Sequence, residues 1–424
     1  MTLAAFSHEG MNRILKTWVE RILFCCQVIS FGILIAPAGL GQEQALDLRG
    51  ALAAAETGNL ELRAARQQRA IAVAGITTAR QLPNPTIAFT ASRDTPHEGL
   101  SLDIPIELGG KRGKRVAVAR EEQKSTEIDI TALGRQIRRR TREAFYLALS
   151  ARQQTNQAKT ALDLSTRVRD MAQQRFEAGD VAQLEVLQAE VELARASADY
   201  ETAQQAQRSA DVGLAALLNH NLEAPLNVAG QLEEIPPVPT LQGVTEQAMQ
   251  TNSDLLRTTQ DLTIEQRRLE LAKAQKIPDL TLSGGSDFNS PPDFDIGGKG
   301  GVAVSFPLFY HGQGEVALST ARLELLRLTL ASQRTNVSAQ VAGAYFDYLA
   351  KSQQVSQYKD KVLPGNLRLE EMAEESYRAG KTNLLTLLDA QRRLSDARKA
   401  YLDALFAAQS SFAVLEEAVG ASLD

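Results

Sequence analysis

This chain of 424 residues says nearly the same thing twice, and that repetition limits its fold more than any other feature. ALAAAETGNLELR, starting at Ala51, resembles VTEQAMQTNSDLLR, starting at Val244. ARQLPNPTIAF resembles AQKIPDLTLSG, and LDIPIELGGKRG resembles VSFPLFYHGQG, with Pro105 over Pro307 and Gly110 over Gly312. QRFEAGDVAQLEVLQAE resembles ESYRAGKTNLLTLLDAQ, with Gly179 over Gly380. Several segments keep their order at a near-constant spacing, which chance does not produce. A Pro-rich joint, Ile235, Pro236, Pro237, Val238 and Pro239, carries a linker signal. We therefore expect one repeat over 42–234, a linker over 235–240 and a second repeat over 241–424.

Both repeats follow one grammar. In the first, helical periodicity covers about 59–80 and Pro83 and Pro85 end it. Two strand-like segments follow, and then periodicity runs unbroken from Lys111 to Glu177. Gly179 turns the chain into another helix over 181–218. The second repeat reads helix 253–276, two strands, helix 312–377, a turn at Gly380 and helix 383–418. Ala, Gln, Leu, Arg and Glu dominate while aromatics are 5%, the composition of long amphipathic helices rather than several mixed cores. A stretch of ~66 helical residues is ~100 Å long, and the two shorter helices of each repeat sum to ~90 Å. Each repeat should therefore be a hairpin with one unbroken arm and one arm of two stacked helices. No compact globule houses such a rod. Pro364 lacks a backbone donor and should kink the second long arm near Val362.

The strand candidates share a period of two. Ile87, Phe89 and Ala91 alternate with Thr86, Ala88, Thr90 and Ser92; Leu100, Leu102, Ile104 and Ile106 alternate with Ser101 and Asp103. Leu280 and Leu282 alternate with Thr281 and Ser283, and Val302, Val304, Phe306 and Leu308 with Ala303 and Ser305. One apolar and one small or polar face suits a barrel with lipid outside and water within. The intervening RDTPHEG and DFNSPPDFDIGGKG suit loops at its outer mouth. Hydrocarbon tolerates no open sheet edge, and single-chain barrels begin at about eight strands. A chain with four must share its barrel with copies of itself; two, three or four copies would give about eight, twelve or sixteen strands. The fold class is thus mainly α with a transmembrane β part.

The N-terminus reads as an export signal over 1–41. Arg13, Lys16 and Arg21 precede an apolar run over 22–35, and Ala36, Pro37, Ala38 and Gly39 form a small-residue cleavage zone. Translation from Met11 would place the charges where export needs them. Both cysteines, Cys25 and Cys26, fall in that run, so cleavage leaves a chain without disulfides or thiolate ligands. Phe24, not a small residue, precedes Cys25, so no acyl anchor is expected.

Chemistry is otherwise sparse. A net charge of −5 offers no basic field for nucleic acid. His97, His220 and His311 have no second His or Cys at ligand spacing, and each reads as a surface or junction residue. GGKRG lacks the spacing of a phosphate loop, and no nucleophile motif is present, so no enzyme and no cofactor are expected.

Two such repeats behind an export signal resemble the TolC-type outer-membrane factor family over 46–419, with RFEAG and SYRAGKTNLLTLLDAQ as the most specific phrases. The resemblance implies a homotrimer whose twelve-strand barrel continues into a periplasmic helical tunnel, closed at its inner end. It also implies a periplasmic adaptor (membrane fusion protein) and an inner-membrane RND-type pump as partners. LPNPTI followed by ELGGKRGKR is similar to the heavy-metal efflux (CzcC-like) branch, which implies metal cations as cargo ahead of organic toxicants or peptides. A periplasmic scaffold or adaptor is the competing class, but adaptors carry a single helical hairpin.

By that resemblance Asp389 lies where family members constrict the closed end, and Glu185 is expected to hold the corresponding place in the first repeat; Thr386 replaces a second acidic position. Copies would turn each carboxylate into a ring able to hold a cation. Gly179 and Gly380 should supply the left-handed backbone of the tip turns. Arg175, Arg378 and Lys381 beside them fall where the family meets its adaptor. Lys111, Arg112, Lys114 and Arg115 open a helix whose dipole opposes cations by about 0.3–1 kcal/mol each. Anionic headgroups, worth ~1 kcal/mol per cation, are expected to offset that cost.

Overall fold

The computed structural model describes residues 45–223, 226–237 and 239–423; the export signal expected over 1–41 lies outside the described residues. Helix α1 (Leu48–Gly58) starts at Asp47, whose carboxylate accepts the Gly50 N–H at 2.7 Å, and meets α2 (Leu60–Arg80) at Asn59. Strands β1 (Thr86–Ala91) and β2 (Glu98–Ile106) lead to α3 (Lys111–Glu177) and α4 (Gln183–Leu218). The second repeat gives α5 (Leu241–Thr251), α6 (Ser253–Ala274), β3 (Leu280–Ser290), β4 (Phe294–Val304) and α7 (Gln313–Gln357). A π-helical turn (Tyr358–Val362), α8 (Leu363–Arg378) and α9 (Leu384–Val419) complete it. At 67 residues α3 is about 100 Å long, the rod that the unbroken periodicity required.

Three elements depart from expectation. Helices α1 and α5 were not foreseen, because a short run ending at Asn reads as a loop. Each Asn instead splices two helix pairs. Asn59 caps α2 by accepting the Leu62 N–H at 3.1 Å and donates to the Leu217 carbonyl at the end of α4 at 3.0 Å. Asn252 repeats this for α6, accepting the Leu255 N–H at 3.2 Å and donating to the Ala418 carbonyl at 2.8 Å. One side chain thus satisfies orphan groups on two helix ends.

Strand β4 lies earlier than its alternation suggested. Its ladder with β3 begins at Phe294 and stops where Val304 faces Leu280, the first residue of β3. Most of the glycine-rich stretch read as an outer loop is therefore strand. Phe306 and Leu308 alternate correctly but have no strand beside them in one copy. The long second arm bends as Pro364 demands, by a π turn in which the Leu363 N–H reaches back to the Tyr358 carbonyl.

The four strands form one antiparallel sheet in the order β1-β2-β3-β4. Register partners share a face, and the register puts Ile87 beside Leu102, Phe89 beside Leu100, Ile104 beside Leu282, and Leu282 beside Val302. The other face carries Thr86, Ser101, Asp103, Ser283 and the Lys299–Asp287 ion pair. Among the described residues no strand covers the outer edges of β1 and β4, and no helix is long and apolar enough to cross a membrane.

Below the sheet the core is a seam between helices. Phe145 and Leu149 of α3, Leu214 of α4, Ala51 of α1 and Leu405 of α9 form one cluster. Val244 of α5, Val341 of α7 and Leu415 of α9 form its counterpart. Between them Arg142 of α3 and Glu416 of α9 make a buried ion pair at 2.9 Å, with the guanidinium over the Phe412 ring. The segment after α4 is strapped down: Arg152 donates to the Leu226 and Val228 carbonyls, and Gln409 to the Glu234 carbonyl at 2.7 Å.

Candidate functional site: the helical tip and the barrel junction

At the tip both repeats turn by the same bonds. The Gly179 N–H bonds the Phe176 carbonyl and the Asp180 N–H that of Arg175; the Gly380 and Lys381 N–H groups repeat this on Tyr377 and Ser376. Gly179 and Gly380 have φ of 81° and 68°, the left-handed backbone that ends a helix cleanly. Val168 and Ala172 of α3, Ala189 of α4, Ala373 of α8 and Leu384 and Leu388 of α9 pack behind the turns.

The two tips are joined by Tyr377, which the sequence analysis did not single out. It is buried, lies under the Arg175 guanidinium at 5.0 Å and donates its hydroxyl to Glu185 at 3.4 Å. Burial first, and the Glu185 carboxylate second, push its phenol above the ordinary value, so it stays a protonated donor. The sequence signal was the aromatic three residues before each tip glycine; its repeat mate Phe176 is 39% exposed where Tyr377 is 1%.

Asp389 is exposed on α9 and pairs with Arg393 one turn on at 2.8 Å. It does not meet Glu185 as a repeat mate: the aligned tips set Glu185 against Thr386, and Asp389 against Gln188. Arg378 pairs with Glu374 on its own helix, and Lys381 is exposed at the turn. Arg392 of α9 pairs with Glu192 of α4, a second tie between the repeats.

At the junction of sheet and rods the four cations have separate fates. Lys111 is buried with its ammonium 2.8 Å from Asp279. Arg112 donates to the Arg80 carbonyl at 2.6 Å while remaining exposed. Arg115 pairs with Glu107 and reaches the Gln81 carbonyl. Lys114 is half-buried. Part of the offset to the opposing helix dipole therefore comes from Asp279 and Glu107. His97, His220 and His311 sit at three different junctions: the β1–β2 turn, the end of α4 and the start of α7.

A sheet with one apolar and one polar face and two open edges, carried on helices of about 100 Å, defines a subunit of a bilayer-spanning duct. The chain belongs to the outer membrane efflux protein family, whose model matches residues 51–220 and 244–421, one match per repeat. It is an outer-membrane transport duct rather than an enzyme. Over 364 residues it is 27% identical to the cobalt-zinc-cadmium resistance protein CzcC of Cupriavidus metallidurans, covering 85% of this chain and 86% of that one. It is 25% identical to the pyoverdine export outer membrane protein OpmQ of Pseudomonas aeruginosa, covering 77% of this chain and 69% of that one. Its fold is similar to the outer membrane channel CmeC of Campylobacter jejuni, with a TM-score of 0.73 at 18% identity over 88% of this chain and 85% of that one. Members of the family form trimeric channels that work with adaptors and pumps.

Proposed function

We propose that three copies of this chain close one twelve-strand barrel and form a passive exit duct for heavy-metal cations, engaged from the periplasm by an adaptor and an RND-type pump. The observation that carries the cargo is the likeness to a cobalt-zinc-cadmium resistance protein across most of both chains. Asp389 and Glu185 line the constricted inner end in this reading, as carboxylate rings that admit cations without holding them tightly. Arg175, Gly179, Arg378, Gly380 and Lys381 form the tip surface that meets the adaptor. Headgroup contact falls to the exposed Arg112 and the half-buried Lys114, while Lys111 and Arg115 tie the junction together.

Deleting the gene in its host tests the cargo. Sensitivity to Zn, Co or Cd salts, restored by the gene, is the expected result. The likeness to a pyoverdine exporter supports a second reading, an organic cargo. Sensitivity confined to organic toxicants would favour it and remove the metal assignment.

A further inference from the structure

The strands of the sheet are poor in cations. Across β1 to β4 the carboxylates are Glu98, Asp103, Asp287 and Asp295, and Lys299 is the one ammonium set against them. Glu98 opens β2 and Asp295 is the second residue of β4, so both stand at the turns farthest from the helices. Asp103 and Asp287 lie within the ladder, on the polar face.

That face is the sheltered one. Along β2, Leu100, Leu102, Ile104 and Ile106 are 38–45% exposed, whereas Gly99 is buried and Ser101, Asp103 and Pro105 are half-buried. It is the side that a closed barrel turns to its water.

Rows read across the sheet show where the ammonium goes. One row joins Gly99, Asp287 and Gly297; the next, toward the helices, joins Ser101, Gly285 and Lys299; the next joins Asp103, Ser283 and Gly301. Lys299 binds Asp287, one row farther from the helices. The two side chains close over Gly99, where a Cβ would meet the Asp287 Oδ1 at 2.8 Å and the Lys299 Nζ at 3.5 Å. The ammonium is thus committed away from Asp103. Among the described residues no donor or cation meets the Asp103 carboxylate, whose register partners are Thr86 and Ser283. Asp is a poor strand former, and here it returns no bond that stabilises the sheet. Its repeat mate is Ser305, so each copy contributes one such carboxylate and not two.

We propose that Asp103 sets a cation preference inside the barrel: closed by copies, the sheet presents a ring of unpaired carboxylates to the lumen, about 10 Å above the inner end of β2. This rests on the reading that copies close one barrel. The ring is electrically separate from the inner constriction. Helix α3 sets the barrel and the tip about 100 Å apart, and charges in physiological salt are screened over about 8 Å. A preference at the exit therefore has to come from charges in the barrel wall. Rings of Asp or Glu favour cations, and unpaired carboxylates facing water hold them loosely enough to release them. A cation is drawn along this wall, and an anionic organic cargo is disfavoured there.

The test reads the potential beside Asp103 with a thiol. Ser283→Cys, on its register partner, is placed in the full chain with Cys25→Ala and Cys26→Ala, assembled in outer membranes. Rates with an ammonium-bearing and a sulfonate-bearing methanethiosulfonate are each divided by the rate on a small free thiol. A carboxylate about 5 Å away, screened by salt, should favour the cationic reagent by about fourfold. Asp103→Asn, or Asp103→Ser after its repeat mate, should bring that ratio to near one. Asp103→Glu should keep it, and Asp389→Asn should leave it unchanged. A ratio that neither neutral variant moves overturns the ring and leaves the shared barrel standing. A thiol that neither reagent reaches in the assembled protein overturns the water-facing wall, and with it both readings.

Discussion

Tyr377 is the residue on which the two tips of one copy meet, and its parts can be separated. Tyr377→Phe keeps the ring under Arg175 and loses the bond to Glu185, a cost of about 0.5–1.5 kcal/mol. Tyr377→Ala also empties the packed position, costing about 3–5 kcal/mol. Thermal unfolding of the two variants should therefore differ by several degrees, and equal midpoints would deny the ring its role. Glu121 offers a test by pH. The Gln260 amide first, and Lys124, hold its carboxyl below the usual carboxylate range, against burial. A depressed carboxylate adds stability above its unfolded value and loses it as pH falls through the folded one. Glu121→Gln should thus be less stable than the parent at neutral pH and converge with it in acid; a constant difference would contradict the linkage. Glu185 and Arg175 were legible in the sequence as tip residues because they flank a repeated glycine phrase. Tyr377 was not, since a tyrosine on a helix reads as packing until its neighbours from the other repeat are known.

Among elements, the long helices were the most legible and the sheet the least. An unbroken period of 3.6 with glycine at the turn specifies a rod almost by itself. The extent of β4 depends on what lies beside it, and glycine-rich sequence reads as loop until a partner strand supplies the ladder. The sheet's two faces make opposite predictions. Phe89→Arg on the apolar face should cost ~2–4 kcal/mol near the bilayer midplane and reduce the assembled protein in outer membranes. Ala88→Arg, on the polar face beside Ser101, should be tolerated. Equal loss for both would mean that the faces are not divided between lipid and water. The buried pair of Arg142 and Glu416 ties α3 to α9; Glu416→Ala leaves the guanidinium buried without it, a loss of about 3–5 kcal/mol in thermal or denaturant unfolding. A change within error would show that the pair contributes nothing.

For the whole molecule, the repeat and the four-strand count led directly to a duct that no single copy can close. The number of copies was not legible in the residues, because a sheet edge states that a partner is needed and not how many turns complete the ring. Cargo was legible only through likeness, since a conduit works by not binding tightly and leaves no ligand cluster to read. The most direct test of the duct is the current across a planar lipid bilayer holding the purified, assembled protein. A duct constricted at its inner end should pass a small current that needs no nucleotide and favours cations, with the preference weakened by Asp389→Asn. Current through the inserted oligomer with no preference for cations, or a preference that Asp389→Asn leaves unchanged, would overturn that reading.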